Sequence, residues 1–175
     1  KWICDQDYKK RIVIAGNHDN LIEKEWSKYL EGSPAFEYLC DSGTEYKGLK
    51  IWGSPWTKTF PGMNPHCMAF TMETEEELAE KWALIPENID ILITHCPPYG
   101  ILDGVEGRDI DDVIWTGSPT LRHHVLSRIK PKIHVFGHIH ENGGKMVDLV
   151  TTKFINASYV DENYEPLNRP VRITF

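Results

Sequence analysis

Two histidines flank one isoleucine in the segment Gly137-His138-Ile139-His140, which directly follows the strand-like residues 132–136. Side chains two positions apart in an extended chain point the same way, so His138 and His140 can converge on one point. Neutral imidazole is the side chain most often found as a metal ligand, and a glycine lets the backbone approach a bound group closely. The motif therefore predicts a metal site at the end of a buried strand.

Two earlier apolar runs end in a similar way. Residues 11–15 lead into Gly16-Asn17-His18-Asp19, and residues 90–94 lead into His95. The first run is apolar on both faces, which indicates an interior strand of a covered sheet, and α/β proteins bind ligands at the carboxyl ends of their strands. Strands that end side by side would gather the polar residues at these ends into one site: Asn17, His18, His95, His138 and His140.

Helices are predicted over residues 20–30, 74–84 and 118–129. Thr74 with Glu77 forms a capping box for the second helix, and Ser118 with Pro119 supplies the N-cap and first position of the third. Strands are predicted over residues 49–53 and 67–72, and three more are predicted to form a second sheet packed on the first, over residues 146–150, 154–158 and 171–175. We therefore expect an α/β fold, a two-sheet sandwich flanked by helices, in one domain over residues 1–175.

The composition is that of an ordinary globular protein, with 41% hydrophobic and 26% charged residues among 175. A net charge of −7 argues against binding to nucleic acid or to an anionic membrane surface by bulk charge. No apolar run approaches the roughly 18 residues of a membrane span. The cysteines Cys4, Cys40, Cys67 and Cys96 are widely spaced, which favours reduced thiols over disulfides or a zinc clip and predicts a cytoplasmic protein.

The three strand-end motifs, in this order, resemble the last three signatures of the calcineurin-like metallophosphoesterases. Two longer stretches resemble one branch, the metallophosphoesterase-domain-containing proteins related to cyclic-nucleotide phosphodiesterases: Thr94-His95-Cys96-Pro97-Pro98-Tyr99-Gly100-Ile101-Leu102-Asp103 and His134-Val135-Phe136-Gly137-His138-Ile139-His140-Glu141. Asn156-Ala157-Ser158 and Tyr164-Glu165-Pro166-Leu167-Asn168 are similar to the same branch. The resemblance covers nearly the whole chain and implies a dinuclear metal site between two sheets.

The resemblance also implies a role for each matched residue. Asn17, His95 and His138 would bind one divalent ion and His140 the other. His18 would sit beside the scissile phosphate, stabilising its charge or protonating the leaving oxygen. Two ions roughly 3.5–4 Å apart can hold a hydroxide and clamp a phosphoryl oxygen for in-line hydrolysis, and such ligands suit manganese, zinc or iron. The expected substrate is a small phosphoester, such as a cyclic nucleotide or a similar phosphodiester.

The carboxylate signatures of the family, Asp-x-His and Gly-Asp, do not occur in this sequence. All the matched ligands are neutral, although two divalent ions bring four positive charges. We interpret six acids as a helix-start acid, solvated loop acids and a turn residue rather than as ligands: Asp19, Asp103, Asp109, Asp111, Asp112 and Asp148. The sequence therefore predicts a domain that lacks its N-terminal strands, with an open sheet edge through which the chain would self-associate.

Several other residues have simpler interpretations than a place in the site. His134 is predicted to be a packed core histidine, His123 and His124 to be surface or boundary residues of a helix, and Trp56 and Phe60 to cover the core. His66 lies in an irregular loop where a substrate contact is possible, and Arg108 and Arg122, which could steer phosphate, are interpreted more simply as solvated charges. Two alternatives to an active enzyme stay open: a metal-binding but inert scaffold for a protein partner, and a purely structural fragment.

Overall fold

The computed structural model describes residues 2–30, 32–60, 62–107, 112–149 and 151–174. In these ranges the α-helices are α1 (Asn20–Tyr29), α2 (Glu75–Ala83) and α3 (Pro119–His124), which continues into a π-helical turn, Val125–Ile129. The strands are β1 (Ile12–Val13), β2 (Glu37–Tyr38), β3 (Ser42–Tyr46), β4 (Leu49–Ser54), β5 (Thr57–Lys58), β6 (Thr71–Met72), β7 (Ile91–Thr94), β8 (Gly104–Glu106), β9 (Val113–Trp115), β10 (Ile133–Phe136), β11 (Met146–Leu149) and β12 (Thr152–Asn156). Short 3₁₀ turns span Trp2–Asp5 and His140–Asn142. The predicted α/β class, with more than one sheet and flanking helices, is confirmed.

The main sheet has six strands in the order β11-β12-β10-β7-β4-β3. The four central strands are parallel, and β11 and β3 are antiparallel to their neighbours at the two edges. Parallel strands in register end at the same edge of a sheet. Because β10 lies beside β7 with Val135 opposite Ile93, the residues that follow these two strands, His95 and His138, come out side by side.

The principal core lies between one face of this sheet and the helices α2 and α3. Leu92, His134 and Phe154 are neighbours in register across β7, β10 and β12, and all three are fully buried. From the helices, Trp82 and Leu121 complete the same cluster with no exposed surface. The predicted capping box at the start of α2 is present, with Thr74 as the N-cap.

The opposite face of the main sheet is less well covered. Ile93 and Val135 point to that face and remain half-exposed, whereas parallel sheets are normally covered on both faces. A cavity of about 310 Å³ separates Val135 from Ile14 and Ala15, which follow β1. The second face therefore keeps apolar surface that the described residues do not cover.

Two predictions about the sheets are wrong. β11 and β12 pair with the main sheet through β10, so they form no second sheet, and residues 171–174 are not a strand. The run over residues 11–15 contains only the two-residue strand β1, which pairs with β2 in a separate two-stranded sheet. A short apolar run predicts a buried strand but not its partner, because pairing depends on the path of the chain between strands.

Among the described residues, none of the helices has the length and apolar character of a membrane span.

Candidate metal centre

One cavity of about 490 Å³ collects the residues that the sequence singled out. Its lining includes residues from all three predicted strand ends: Asn17, His18, His95, His138 and His140. The first pair follows β1, the next residue follows β7, and the last pair follows β10. The structure thus brings together side chains that lie more than a hundred residues apart in the sequence.

Asn17 and His95 are already in contact. His95 Nε2 lies 2.7 Å from Asn17 Oδ1, and Asn17 Nδ2 donates to the carbonyl oxygen of Cys67 at 3.1 Å. The second hydrogen bond fixes the orientation of the amide, so its oxygen is the atom that faces the imidazole. Because the amide oxygen only accepts, His95 Nε2 donates in this contact, and a metal ion bound by Oδ1 and Nε2 would require the Nδ1–H tautomer of His95.

Gly16 makes this approach possible. A Cβ atom at this position would lie 2.5 Å from the ring of His95, which is closer than side chains tolerate. At Gly137 a Cβ would meet its nearest neighbour, Ser158 Oγ, at 3.6 Å, an ordinary contact. The contact with His95 therefore requires glycine at position 16, whereas the described neighbours of Gly137 would admit a methyl group.

His138 adopts an unusual backbone conformation, with φ of 71°. A residue other than glycine in the left-handed region costs about 1–3 kcal/mol, and such strain is concentrated at functional sites. In this conformation the ring lies 4.7 Å from the ring of His95 and stacks on Phe60 at 6.1 Å, measured between centroids. Phe60 thus lines the cavity, contrary to the prediction that it covers the core, whereas Trp56 packs against the core as predicted.

The turn that carries His138 and His140 is supported by residues from the end of β12. Asn156 Nδ2 donates to the carbonyl oxygen of Ile139 at 2.7 Å, and Ser158 Oγ donates to the same oxygen at 3.2 Å. The sequence predicted no role for these two residues. Their position at the end of a third strand parallel to β7 and β10 is the signal that would have identified them.

His140 is oriented by the loop over residues 159–168. Its Nδ1 lies 2.9 Å from the carbonyl oxygen of Asp161. Because a carbonyl only accepts hydrogen bonds, Nδ1 carries the proton and Nε2 keeps a free electron pair. Tyr164, from the same loop, packs edge-on against the ring of His140 at 5.0 Å and against that of His18 at 6.2 Å. The loop is a wall of the cavity that the sequence analysis did not predict.

The electrostatics of the cavity keep its central imidazoles neutral. Burial holds the pKa of His95 well below its usual range, and the neighbouring charges of His138, His18 and His140 lower it further. Burial also lowers the pKa of His138 to about 4, with His140 and His18 adding to the effect. The side chains of His95 and His138 lie in the wall of a concave cavity and not on the open surface, so they are surrounded by protein atoms. Neutral imidazoles with available electron pairs are the form that binds metal.

Asn17, His95 and His138 offer donor types that suit a divalent transition-metal ion, and His140 lies in the same cavity. In the described part of the chain, no three or more His, Cys, Asp or Glu side chains are grouped as a metal site. Glu141 and Glu162 also line the cavity, and they belong to no such group.

The acids considered in the sequence analysis lie elsewhere. Asp19 precedes α1 and accepts a hydrogen bond from Gly16 N, as expected for a helix-start acid, and Asp112 is exposed. Asp148 lies within β11 and pairs with Lys153, so the prediction of a turn is wrong. Asp109, Asp111 and Arg108 are outside the described residues.

Asp103 is not the solvated loop acid that was predicted, because it is completely buried. Its Oδ2 accepts hydrogen bonds from Gly100 N at 3.0 Å and Gly117 N at 2.8 Å, and it thereby ties two loops together. Its Oδ1 is buried without a hydrogen-bond partner. A structural carboxylate of this kind cannot be recognised from the local sequence, since both of its partners are backbone groups in loops.

The remaining interpretations agree with the structure. His134 is fully buried in the core, with Nε2 2.8 Å from Thr94 Oγ1. His123 is exposed and His124 half-buried on α3, and His66 and Arg122 are exposed. The cysteines are all free.

Comparison with known proteins decides the family. A profile of the calcineurin-like phosphoesterases matches residues 1–142. The chain belongs to this family. Metallophosphoesterase domain-containing protein 1 of Homo sapiens is 36% identical over 196 residues, which cover 99% of this chain and 57% of the relative. A UPF0046 protein of Caenorhabditis elegans is 38% identical over 179 residues, 94% of this chain and 61% of the relative.

Structural comparison agrees at the level of the fold. A crystal structure superposes with a TM-score of 0.61 at 16% identity, covering 85% of this chain and 57% of that one. Membership of the calcineurin-like phosphoesterase family supports a metal-dependent phosphoesterase, which is a hydrolase. The chain spans 57% and 61% of the length of these two curated relatives.

Proposed function

We propose that this chain carries the histidine half of the active site of a phosphodiesterase that acts on cyclic nucleotides or similar small phosphodiesters at a dinuclear metal centre. The observation that carries the proposal is the convergence in one cavity of the five residues from three strand ends. Asn17, His95 and His138 would hold the first divalent ion and His140 the second. Manganese, zinc and iron are the ions that suit these donors.

Each residue of the chain has a defined task in this proposal. When bound, the two ions would activate a water molecule and clamp the phosphoryl oxygens. His18 is exposed at the cavity, so it can stabilise the negative charge of the phosphate or donate a proton to the leaving oxygen. Tyr164 and Phe60 wall the cavity on either side and would limit it to small substrates.

A dinuclear centre requires the carboxylates of the Asp-x-His and Gly-Asp signatures, and this chain does not supply them by itself. Two divalent ions need anionic ligands, and the matched ligands are neutral. The half-exposed Ile93 and Val135 lie on the incompletely covered face of the main sheet, next to the cavity bordered by Ile14 and Ala15. We infer that a segment outside this chain covers that face beside β1 and brings the carboxylates, including one that bridges the metals.

Metal analysis and an assay on bis(4-nitrophenyl) phosphate test the proposal. We expect the 175-residue chain to hold at most one divalent ion per molecule and to turn over at background, and a form as long as the relatives to hold two ions and be active. His95→Ala should abolish the ion of the short chain, while the exposed His123→Ala should retain it. Two tightly held ions with robust turnover from the short chain would contradict the missing-carboxylate argument, and an inactive long form would contradict the function.

A second candidate function is a catalytically inert scaffold of the same fold that binds a protein partner. It is favoured because the described His, Cys, Asp and Glu side chains form no group of three or more that could hold a metal, although Glu141 and Glu162 line the cavity. A long form that folds, holds no second ion and shows no turnover would select this candidate. Turnover that depends on added metal would exclude it.

We further propose that the short chain self-associates through the edge of β1. In the described ranges β1 pairs with β2 alone, and an unpaired edge is a template for another strand. Light scattering should find dimers or larger species for the short chain. A strictly monomeric short chain at high concentration would contradict this proposal.

A further inference from the structure

The turn that carries Asn17 and His18 is held by the loop over residues 66–70 rather than by the main sheet. Ala69 N donates to the carbonyl oxygen of Asn17 at 3.1 Å, and Phe70 N donates to Glu23 Oε1 at 2.7 Å. Asn20 Nδ2 donates to the carbonyl oxygen of His66. The position of the turn therefore depends on this loop.

Cys67 is the member of the loop that contacts both site residues. Its carbonyl oxygen accepts from Asn17 Nδ2 at 3.1 Å, and its Sγ lies 3.3 Å from His18 Nδ1. Cys67 is buried, whereas His18 is exposed at the cavity. One ring nitrogen of His18 thus faces a buried thiol, and the other is left for the cavity.

The chemistry of the two groups indicates the direction of this contact. A thiol is a weak hydrogen-bond donor and a still poorer acceptor, whereas the unprotonated nitrogen of a neutral imidazole accepts well. The favoured arrangement has the thiol donating to Nδ1, and a neutral ring then carries its own proton on Nε2. The opposite tautomer would place its N–H against sulfur and leave an acceptor facing the cavity.

We infer that Cys67 is a positioning residue for His18, and that its thiol holds the imidazole as the Nε2–H tautomer with that proton directed to the cavity. The catalytic consequence rests on the proposed function, since only a phosphoesterase would use the proton. In that reaction the Nε2–H group would donate a hydrogen bond to the leaving oxygen and stabilise the negative charge that develops there, as the oxygen of water forms its bond to phosphorus and the P–O bond to the leaving group breaks.

Nitrogen-detected NMR of the histidine rings tests the contact without metal or turnover. Spectra would be recorded across a range of pH, and those in which the His18 ring is neutral would be compared. We expect His18 to show an unprotonated Nδ1 and a protonated Nε2. In Cys67→Ala the ratio of Nε2–H to Nδ1–H forms should fall roughly fivefold, the factor that corresponds to a hydrogen bond of about 1 kcal/mol. Cys67→Ser keeps a donor but adds a good acceptor, so its ratio should lie between those of the wild type and Cys67→Ala.

Cys40→Ala is the matched control, because Cys40 is a half-buried thiol that packs beside Ala15 and Phe70 without a hydrogen bond to a site residue. It should leave the His18 signals unchanged. A protonated Nδ1 in the wild-type chain, or protons on both nitrogens as in a thiolate–imidazolium pair, would overturn the inference. An unchanged tautomer ratio in a folded Cys67→Ala chain would overturn it as well. If Cys67→Ala does not fold, the wild-type and serine spectra decide the question.

The catalytic consequence has its own readout in an active form of the protein. Cys67→Ala should reduce kcat more for a phosphodiester with an alkyl alcohol as leaving group than for one with nitrophenol, because the alkyl leaving oxygen develops more negative charge and depends more on the hydrogen bond from Nε2–H. Equal losses for both substrates would mean that Cys67 acts only on the structure. If His18 shows the expected Nε2–H tautomer but the protein has no turnover, the contact is upheld and the proposed function is rejected.

Discussion

The two halves of the candidate site are supported in different ways. His95 and His138 follow β7 and β10, which are neighbours in the interior of the six-stranded sheet. Asn17 and His18 follow the two-residue strand β1, which pairs with β2 in a separate small sheet. The first half is fixed by strand pairing and by the core beneath it, and the second by hydrogen bonds from the loop that contains Cys67.

Because of this difference, we expect substitutions in one half to affect mainly stability and substitutions in the other half to affect mainly chemistry. The sheet half rests on buried residues such as Leu92 and Phe136, so damage there should lower the free energy of unfolding. The turn half rests on the smaller cluster of Ala15, Ala69 and Phe70 but exposes His18, so a change at His18 should alter turnover or metal affinity in a chain that stays folded. Gly16 and His95 are where the two halves meet.

The largest expected effect is on the turn half alone. In an active form of the protein, His18→Ala should lower kcat by about 10²–10⁴-fold, the usual contribution of general acid–base assistance. Metal content and melting temperature should stay near those of the wild type, because His18 is exposed and is not one of the predicted ligands. Parallel turnover and metal measurements check this. Loss of the metal together with activity would make His18 a ligand and would require a different assignment of roles.

A second substitution tests the contact between the halves. Gly16→Ala would place a methyl group 2.5 Å from the His95 ring, so the ring has to move away from Asn17. We expect the affinity of the chain for zinc to fall by about 10–100-fold, the range seen when a supporting contact of a ligand is disturbed. Calorimetric titration of the folded chain measures the change.

Gly137→Ala is the control for this experiment, since its added methyl group meets Ser158 Oγ at an ordinary 3.6 Å. It should keep nearly all of the zinc affinity. Equal losses in both variants would show that the steric contact at Gly16 does not matter.

The smallest expected effect belongs to the sheet half and depends on pH. Burial lowers the pKa of His134 to about 3, while in the unfolded chain the group has a pKa of about 6.5. Below pH 6.5 the unfolded state binds a proton that the folded state does not, so stability is lost as the pH falls from about 6.5 toward 3. This histidine should make the free energy of unfolding about 2 kcal/mol smaller at pH 5 than at pH 7.

Urea titrations at the two pH values, with His134→Gln beside the wild type, measure this contribution. The variant removes the titrating group, so its stability should change less with pH. His123→Gln on the exposed surface of α3 should behave like the wild type. If His134→Gln keeps the full dependence on pH, other groups are responsible for it.

Local patterns in the sequence predicted the three helices and several strands, and they selected residues that the structure brings to one cavity. Apolar runs that end in polar residues predicted that Asn17, His95 and His138 meet, because parallel strands end at one edge of a sheet. The Thr74–Glu77 spacing predicted the start of α2 for an equally local reason. The metal roles of these residues remain predictions.

Tertiary structure decided what the local patterns do not contain. The same kind of apolar run became an interior strand at β10 and a two-residue strand at β1, and Asp103 was buried between loops despite an acidic, loop-like sequence around it. The contact of Cys67 with His18 joins residues 49 positions apart, and that of His95 with Asn17 joins residues 78 positions apart. The spacing of residues along a helix or strand predicts contacts only between residues a few positions apart. Contacts between distant residues are determined by the order of the strands and the path of the loops.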